Sequence, residues 1–196
     1  MLLRIAHLIS IAIVVIAAWG CSTTPARFYT LDSTATPDGA PAAHMAVMVG
    51  PVSVPASVDQ PEFVVQVASN RVELDEFNRW AAPLSDSIAR AVAGNLVVLL
   101  GTPDVAGSPM ANFSPAYTVT INVQRFESTR NQGTLLDAVW AVHRTAGGAM
   151  RSGRTLAQEA AQGDSYDALA AAHSQALARM SRDIAAAIRV EANQRQ

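Results

Sequence analysis

The sequence predicts an α+β fold: a two-layer sandwich in which a largely antiparallel sheet carries two helices packed on one face, preceded by a signal peptide. Three observations lead there. Tyr117, Val119, Ile121 and Val123 alternate with Thr118, Thr120, Asn122 and Gln124, the pattern of a half-buried strand. Leu136, Ala138, Trp140 and Val142 alternate in the same way. Two other stretches, one from Leu84 and one from Tyr166, place apolar residues at the 3.6-residue period of a helix with one buried face. Strands, helix, strands, helix is the chain order of helices laid on one side of a sheet.

The elements follow in order. Phe28, Tyr29 and Leu31 form an apolar cluster that reads as a first strand. Residues 32–44 are rich in Pro, Ala, Thr and Gly without periodicity, so a mobile loop is expected. Residues 45–54 are β-rich but interrupted by Gly50-Pro51, which implies an edge position or a bulge, because proline cannot donate to a ladder. Phe63, Val65 and Val67 alternate with Val64, Gln66 and Ala68. Ser69-Asn70 then offers a tight turn into a hairpin partner carrying Val72, Leu74 and Glu76.

Pro83 suits a first helical position, with Ser85 and Asp86 in the first turn, where they favour the helix dipole. Leu84, Ile88, Ala91, Val92, Asn95 and Leu99 keep the helical period. The end of this helix, residues 96–100, is apolar on every side and should be buried, and Gly101 stops it. Residues 102–115, with Pro103, Gly107, Pro109 and Pro115, read as a loop. After the two alternating strands, Gly147-Gly148 predicts a hairpin turn into a third strand over residues 149–158. Asp164 or Ser165 caps a long final helix whose apolar stripe runs through Tyr166, Leu169, Ala170, His173, Leu177, Met180, Ile184 and Ile188.

Ahead of these elements stands a leader. Arg4 supplies a positive start, residues 5–18 are apolar, and Ala18, Trp19 and Gly20 lead into Cys21, the sole cysteine of the chain. That order is a secretory signal peptide. A lone cysteine directly after a small residue resembles the acylation site of a bacterial lipoprotein, with cleavage after Gly20 and lipid on the Cys21 thiol and its new amine. Ala18 stands where leucine is usual, and Trp19 is bulky for its place. An uncleaved transmembrane anchor is the competing reading, but the apolar run falls short of the roughly 18 residues that span a bilayer, and His7 and Ser10 interrupt it. The other alternative is an incidental thiol in a secreted protein, a liability in an oxidising compartment. The expected organisation is therefore a signal peptide over 1–20, a lipidated tether over 21–25 and one α+β domain over 26–196. With Ser22 and Thr23 after the cysteine, rather than an aspartate, the anchored protein reads as outer-membrane.

Composition narrows the function classes. The chain has 196 residues and a formal net charge of -2, and loss of Arg4 with the leader makes the remainder more negative. Nucleic acid is not an expected partner of such a surface. With a single cysteine there is no internal disulfide, so stability rests on packing. No glycine loop opens a helix as a phosphate cradle would. The histidines after the leader, His44, His143 and His173, fall in a loop, a strand and a helix with no second ligand at fixed spacing, so neither a metal nor another cofactor is expected. His173 lies on the apolar stripe and reads as a core residue, while His143 points to the polar face. There is no GxSxG elbow, and Ser152-Gly153 belongs to a strand. Asp59 and Glu62 flank Pro61 in a turn rather than facing each other as an acid–base pair. The expectation is a non-enzymatic protein.

Four segments are together similar to the ABC-type transport auxiliary lipoproteins, the paraquat-inducible protein C family: Phe28-Tyr29-Thr30-Leu31, Val49-Gly50-Pro51-Val52-Ser53-Val54-Pro55, Phe77-Asn78-Arg79-Trp80-Ala81-Ala82-Pro83-Leu84, and the strand over 136–140 with its tryptophan. The Arg79-Trp80 segment carries the most specific match. Gln60, Glu62 and Ala82 depart from the arginine, glutamine and glutamate frequent in the family. The resemblance implies an outer-membrane lipoprotein on the periplasmic face that works with MCE-domain proteins in moving lipids between membranes. Its implied partner is an MCE-domain transporter subunit, the lipid anchor holds it to the membrane, and a ring-shaped partner would suit a cyclic homo-oligomer. Arg79 and Trp80 are then either a partner contact, since Trp and Arg are common interface anchors, or a junction in which Trp80 fills the core and Arg79 pairs locally. A lipid-binding carrier and an envelope assembly factor are the alternative functions.

Overall fold

Thirteen residues, Tyr117–Thr129, form the strand about which the sheet is arranged (β6). In the computed structural model, which describes residues 24–148 and 150–193, seven further strands join it: β1 Arg27–Tyr29, β2 Val47–Ser53, β3 Glu62–Ala68, β4 Arg71–Trp80, β5 Val105–Ala106, β7 Gly133–Arg144 and β8 Met150–Ala160. Two helices complete the fold, α1 over Leu84–Leu100 and α2 over Tyr166–Asn193. Gly20, Cys21 and the leader before them lie outside the described residues.

The two longest ladders are antiparallel. β6 pairs with β7 from Tyr117↔Arg144 to Thr129↔Gly133, and β7 pairs with β8 along nearly its full length. β3 and β4 form the expected hairpin across Ser69-Asn70. Parallel pairings complete the sheet: β1 with β4, β2 with both β5 and β6, and one pair, Gln66↔Thr129, between β3 and β6. The edge of β6 away from β7 is therefore shared, with β2 along its first half and β3 at its far end. The register of β2 on β6 shifts between Val49 and Val52, around the cis Gly50-Pro51 bond, which is the bulge the proline implies.

The helices start and stop where local chemistry directs. Ser165 caps α2, its Oγ accepting from Ala168 N at 3.1 Å. Gly101 ends α1 with φ 63°, a left-handed position that glycine adopts without strain. Pro83 takes the capping position at φ -48° and ψ 135°, one residue before the helix rather than inside it, and its carbonyl accepts from Ser87 N at 3.0 Å. α1 packs on β2 and β5, α2 packs on β6, β7 and β8, and the two helices touch each other. Between the layers Leu84, Ile88, Leu96, Leu100, Leu136, Leu169, Leu177, Met180, Ile184 and Ile188 are fully buried. Removing each such side chain from water contributes about 1.5–3 kcal/mol.

Two stretches differ from the sequence expectation. Residues 102–115 do contain a loop, but Val105 and Ala106 add a short strand to β2. Residues 32–44 are irregular as expected, yet they are not free. Asn95 Oδ1, fully buried in α1, accepts from Thr34 N and Ala35 N at 2.9 Å and from Ser33 Oγ at 3.1 Å, and Asn95 Nδ2 donates to Ser181 Oγ of α2. Further along, Arg189 of α2 holds Asp38 through two hydrogen bonds. The reason is that a polar residue on the buried stripe of α1 needs partners, and the loop backbone supplies them.

Candidate functional site

The run most specific to the resemblance sits where β4 turns into α1. Three residues, Ala81-Ala82-Pro83, separate the strand from the helix, and neighbouring chain segments hook the start of the turn. Trp80 N donates to Pro61 O at 2.7 Å, and Ala81 N donates to Tyr29 O at 2.9 Å. Proline fixes its own φ and keeps Ala82 extended, so the chain leaves the sheet in a set direction.

The two candidate residues of this run have different fates. Trp80 is 6% exposed and stacks on Phe63, with ring centroids 4.4 Å apart. Around it gather Tyr29, Phe126, His173 and Tyr166, giving an aromatic cluster drawn from β1, β3, β4, β6 and α2. Arg79 points the other way and pairs with Glu62 at 3.1 Å, both side chains partly exposed. Glu62 is one of the departures from the family pattern, and in this chain it supplies the counter-charge of Arg79. Both residues thus play the local junction roles, and Trp80 also reaches the surface cleft beside the turn. That cleft has a volume of about 390 Å³ and is lined by residues 59–61 on one wall and 80–84 on the other.

A polar rim closes the opposite side of the aromatic cluster. Tyr166 OH donates to Asp75 Oδ2 at 2.8 Å and accepts from Arg130 Nη2 at 2.6 Å, and the Arg130 guanidinium lies 4.6 Å from the Tyr166 ring centroid. Burial, followed by the Asp75 hydrogen bond, pushes the Tyr166 hydroxyl up to about 12. Burial alone would raise Asp75, but hydrogen bonds from Tyr166, Phe77 and Asn78 outweigh it and hold the carboxyl below the usual range. Tyr29 OH donates to Asn78 Oδ1 at 2.6 Å. His173 is fully buried, stacked on Phe126 at 3.7 Å, with Nε2 2.8 Å from Ser128 Oγ, and burial drives its pKa down to about 3. It is a neutral core residue, as its place on the stripe implied.

Asp75, Arg130 and Tyr166 were not foreseen as a group, because they come from mid-strand, a turn and a helix start that sequence spacing does not connect. Asp59 is exposed and Glu62 is engaged with Arg79, so they do not form an acid–base pair. Among the described residues no group of three or more His, Cys, Asp and Glu side chains comes together, and no helix is long and apolar enough to cross a membrane.

A match to the family described as the ABC-type transport auxiliary lipoprotein component runs over residues 29–185, from the end of β1 into the last turns of α2. The chain belongs to that family. The match spans the junction, the cleft and all of the sheet except the first two residues of β1, so the arrangement around Trp80 is part of the auxiliary lipoprotein domain rather than an addition to it. No curated protein matches the chain. Two solved structures share the fold. One is a crystal structure of an uncharacterized protein, 21% identical, with a TM-score of 0.69 over 84% of this chain and 99% of that one. The other is XCC0632 from Xanthomonas campestris, of family DUF330, 19% identical, with a TM-score of 0.70 over 86% of this chain and 98% of that one. As an auxiliary component of this family, the protein is a lipoprotein of a transport system.

Proposed function

We propose that the protein is held on the periplasmic face of the outer membrane by acylated Cys21 and acts, without catalysis, as the docking component of an MCE-type intermembrane lipid transport system. The observation that carries this reading is the double use of the family's signature run. Its tryptophan is locked into the core, while the turn that follows it lines an open apolar cleft. A rigid rim around a shallow apolar depression is suited to receiving a segment of another protein. A ring-shaped transporter subunit would be met by several copies in a cyclic array.

Ala81 is exposed on the wall of the cleft and contributes only its backbone to the junction. Ala81→Arg should fill the cleft without touching the core. Detergent extracts of the full chain should recover an MCE-domain subunit, and Ala81→Arg should lose it at unchanged melting temperature. Cys21→Ser should lose palmitate labelling and be left either unprocessed, with its leader still attached, or detached. Full capture by Ala81→Arg would place the contact elsewhere. If no form recovers an MCE-domain protein and a tightly bound lipid copurifies instead, the carrier function replaces the adaptor. Recovery of surface-structure subunits would favour the assembly factor.

A further inference from the structure

The sheet has two faces, and the helices cover one. On the other, at the β1–β4–β3 end, large apolar side chains stand in solvent: Phe28 is 64% exposed, Leu74 49%, Phe77 46% and Val72 44%. The register places them on a common face. In β3, Phe63 and Val65 point into the core, so Glu62, Val64 and Gln66 point out. Leu74 is opposite Val64, Val72 is opposite Gln66, and Arg79 is opposite and ion-paired with Glu62. Phe28 is opposite Arg79 in the parallel β1–β4 pair, while its neighbour Tyr29 is buried. Phe77 lies two residues before Arg79. The outcome is an exposed apolar patch at one end of the open face, of the kind that marks an interaction surface.

We infer that this patch rests in the interfacial region of the membrane to which the protein is attached, so that Phe28, Val72, Leu74 and Phe77 orient the domain against the lipid surface. The inference rests on the reading of Cys21 as the acylated residue. The length of chain between the anchor and the patch selects the occupant. Phe28 is seven residues after Cys21, and a fully extended chain covers at most about 3.3–3.6 Å per residue, so the patch stays within roughly 25 Å of the lipidated sulfur. The patch and the tether meet in a single strand, β1, which contains Phe28 itself. Charge does not attract this face to anionic headgroups: Arg79 on it is already paired with Glu62. Attachment would therefore come from apolar side chains and be insensitive to salt. A lipid anchor at one end of a tether leaves a domain free to swing, whereas an apolar face next to the anchor fixes which surface looks into the periplasm.

The test uses the full chain reconstituted into phosphatidylcholine vesicles, with an environment-sensitive fluorophore on Leu74→Cys or Val72→Cys and, as control, on Arg182→Cys at the exposed surface of α2. Brominated lipid should quench the labels at 72 and 74 at least threefold more than the label at 182, equally in 50 mM and 500 mM salt. Equal quenching at all three positions overturns the proposal. So does shielding of the labels at 72 and 74 that is already present in lipid-free detergent and grows with protein concentration, because a second copy then covers the face. Two label positions guard against one substitution disturbing the strand, and each variant's melting temperature is compared with the parent. The intact mass of the same samples reports acylation of Cys21 separately, since the leader holds an unacylated chain to the vesicle and the labels still report the face.

Discussion

Arg79 and Trp80 are adjacent in sequence, but their environments make them very different experiments. Trp80 fills space between Phe63, Phe126 and His173, and truncating a buried aromatic costs about 3–5 kcal/mol. Trp80→Ala should therefore lower the melting temperature of the domain by many degrees, a loss that thermal unfolding followed by circular dichroism would show directly. Arg79 pairs with Glu62 at a partly exposed site, where such a bridge contributes about 0–1 kcal/mol. Arg79→Ala should melt almost normally, so any loss of partner capture in that variant reports contact rather than unfolding. His173 gives a separate pH signature. Its folded-state pKa of about 3 lies below the ordinary histidine value of 6.5. As pH falls below about 6.5 the unfolded chain gains a proton that the native state refuses, and stability declines by about 1.4 kcal/mol per pH unit until about pH 3. The depressed carboxyls of Asp38, Asp75 and Asp137 act only below their ordinary value of 3.8. Between pH 6 and 4.5, then, the slope belongs largely to histidine. His173→Leu should be destabilised at pH 7 by loss of the Ser128 partner yet show a flat profile across that window, and parallel slopes for parent and variant would show that the imidazole titrates normally.

At the scale of elements, the contacts that matter most are side chains bridging one element to the next. Asn95 ties residues 33–35 to α1 and, through Ser181, to α2. Asn95→Leu would leave two loop amides and the Ser33 hydroxyl unpaired, while Ser181 keeps its bond to Leu177 O, at about 1–3 kcal/mol for each group that stays buried. Its expected outcome is a domain whose residues 32–44 are cut rapidly by protease while the sheet survives. A second bridge runs through Trp140, whose indole lies across Gly153 of the neighbouring strand and donates to Thr155 Oγ1 at 3.1 Å, which in turn donates to Asp183 Oδ2 of α2. A Cβ at position 153 would overlap that ring, so Gly153→Ala should cost about 1–3 kcal/mol by overpacking, measurable by urea unfolding. These bridges also mark where sequence reading succeeds and where it stops. Alternation in β6 and β7, the glycine stop of α1 and the serine cap of α2 depend on local periodicity and were legible. Asn95 on an apolar stripe signalled a buried polar group but could not say that a distant loop would satisfy it. The parallel pairing of β1 with β4 and the two residues of β5 have no local pattern, because partners far along the chain determine them. In the candidate site, Arg79-Trp80 was visible as a motif, while the Asp75–Arg130–Tyr166 rim was not, since each member comes from a different element.

For the molecule as a whole, family membership and the fold together describe an auxiliary lipoprotein with a filled interior and shallow surface clefts. The lining of the cleft beside Trp80 and the apolar end of the open sheet face belong to different surfaces of the same corner. One would meet a transporter and the other the bilayer. A charged residue in the patch, as in Phe77→Asp, should thus weaken orientation on vesicles while leaving subunit capture in detergent intact, and Ala81→Arg should do the reverse. Parallel loss of both activities in either variant would mean that the two surfaces act as one.

The shared edge of β6 has a consequence for biogenesis. Because the long partner of β2 is β6, as in Val47↔Tyr117, and β3 also reaches β6, as in Gln66↔Thr129, the first half of the chain can close only the β3–β4 hairpin, the short β1–β4 and β2–β5 ladders and the packing of α1 before β6 exists. Pairings that span long stretches of chain are slow to form. A nascent chain carrying a leader would consequently remain unfolded through most of its synthesis, which is the state a secretion channel accepts. If the leader directs export, the late position of the central strand would keep the polypeptide threadable until its far half, with β7, β8 and α2, has crossed.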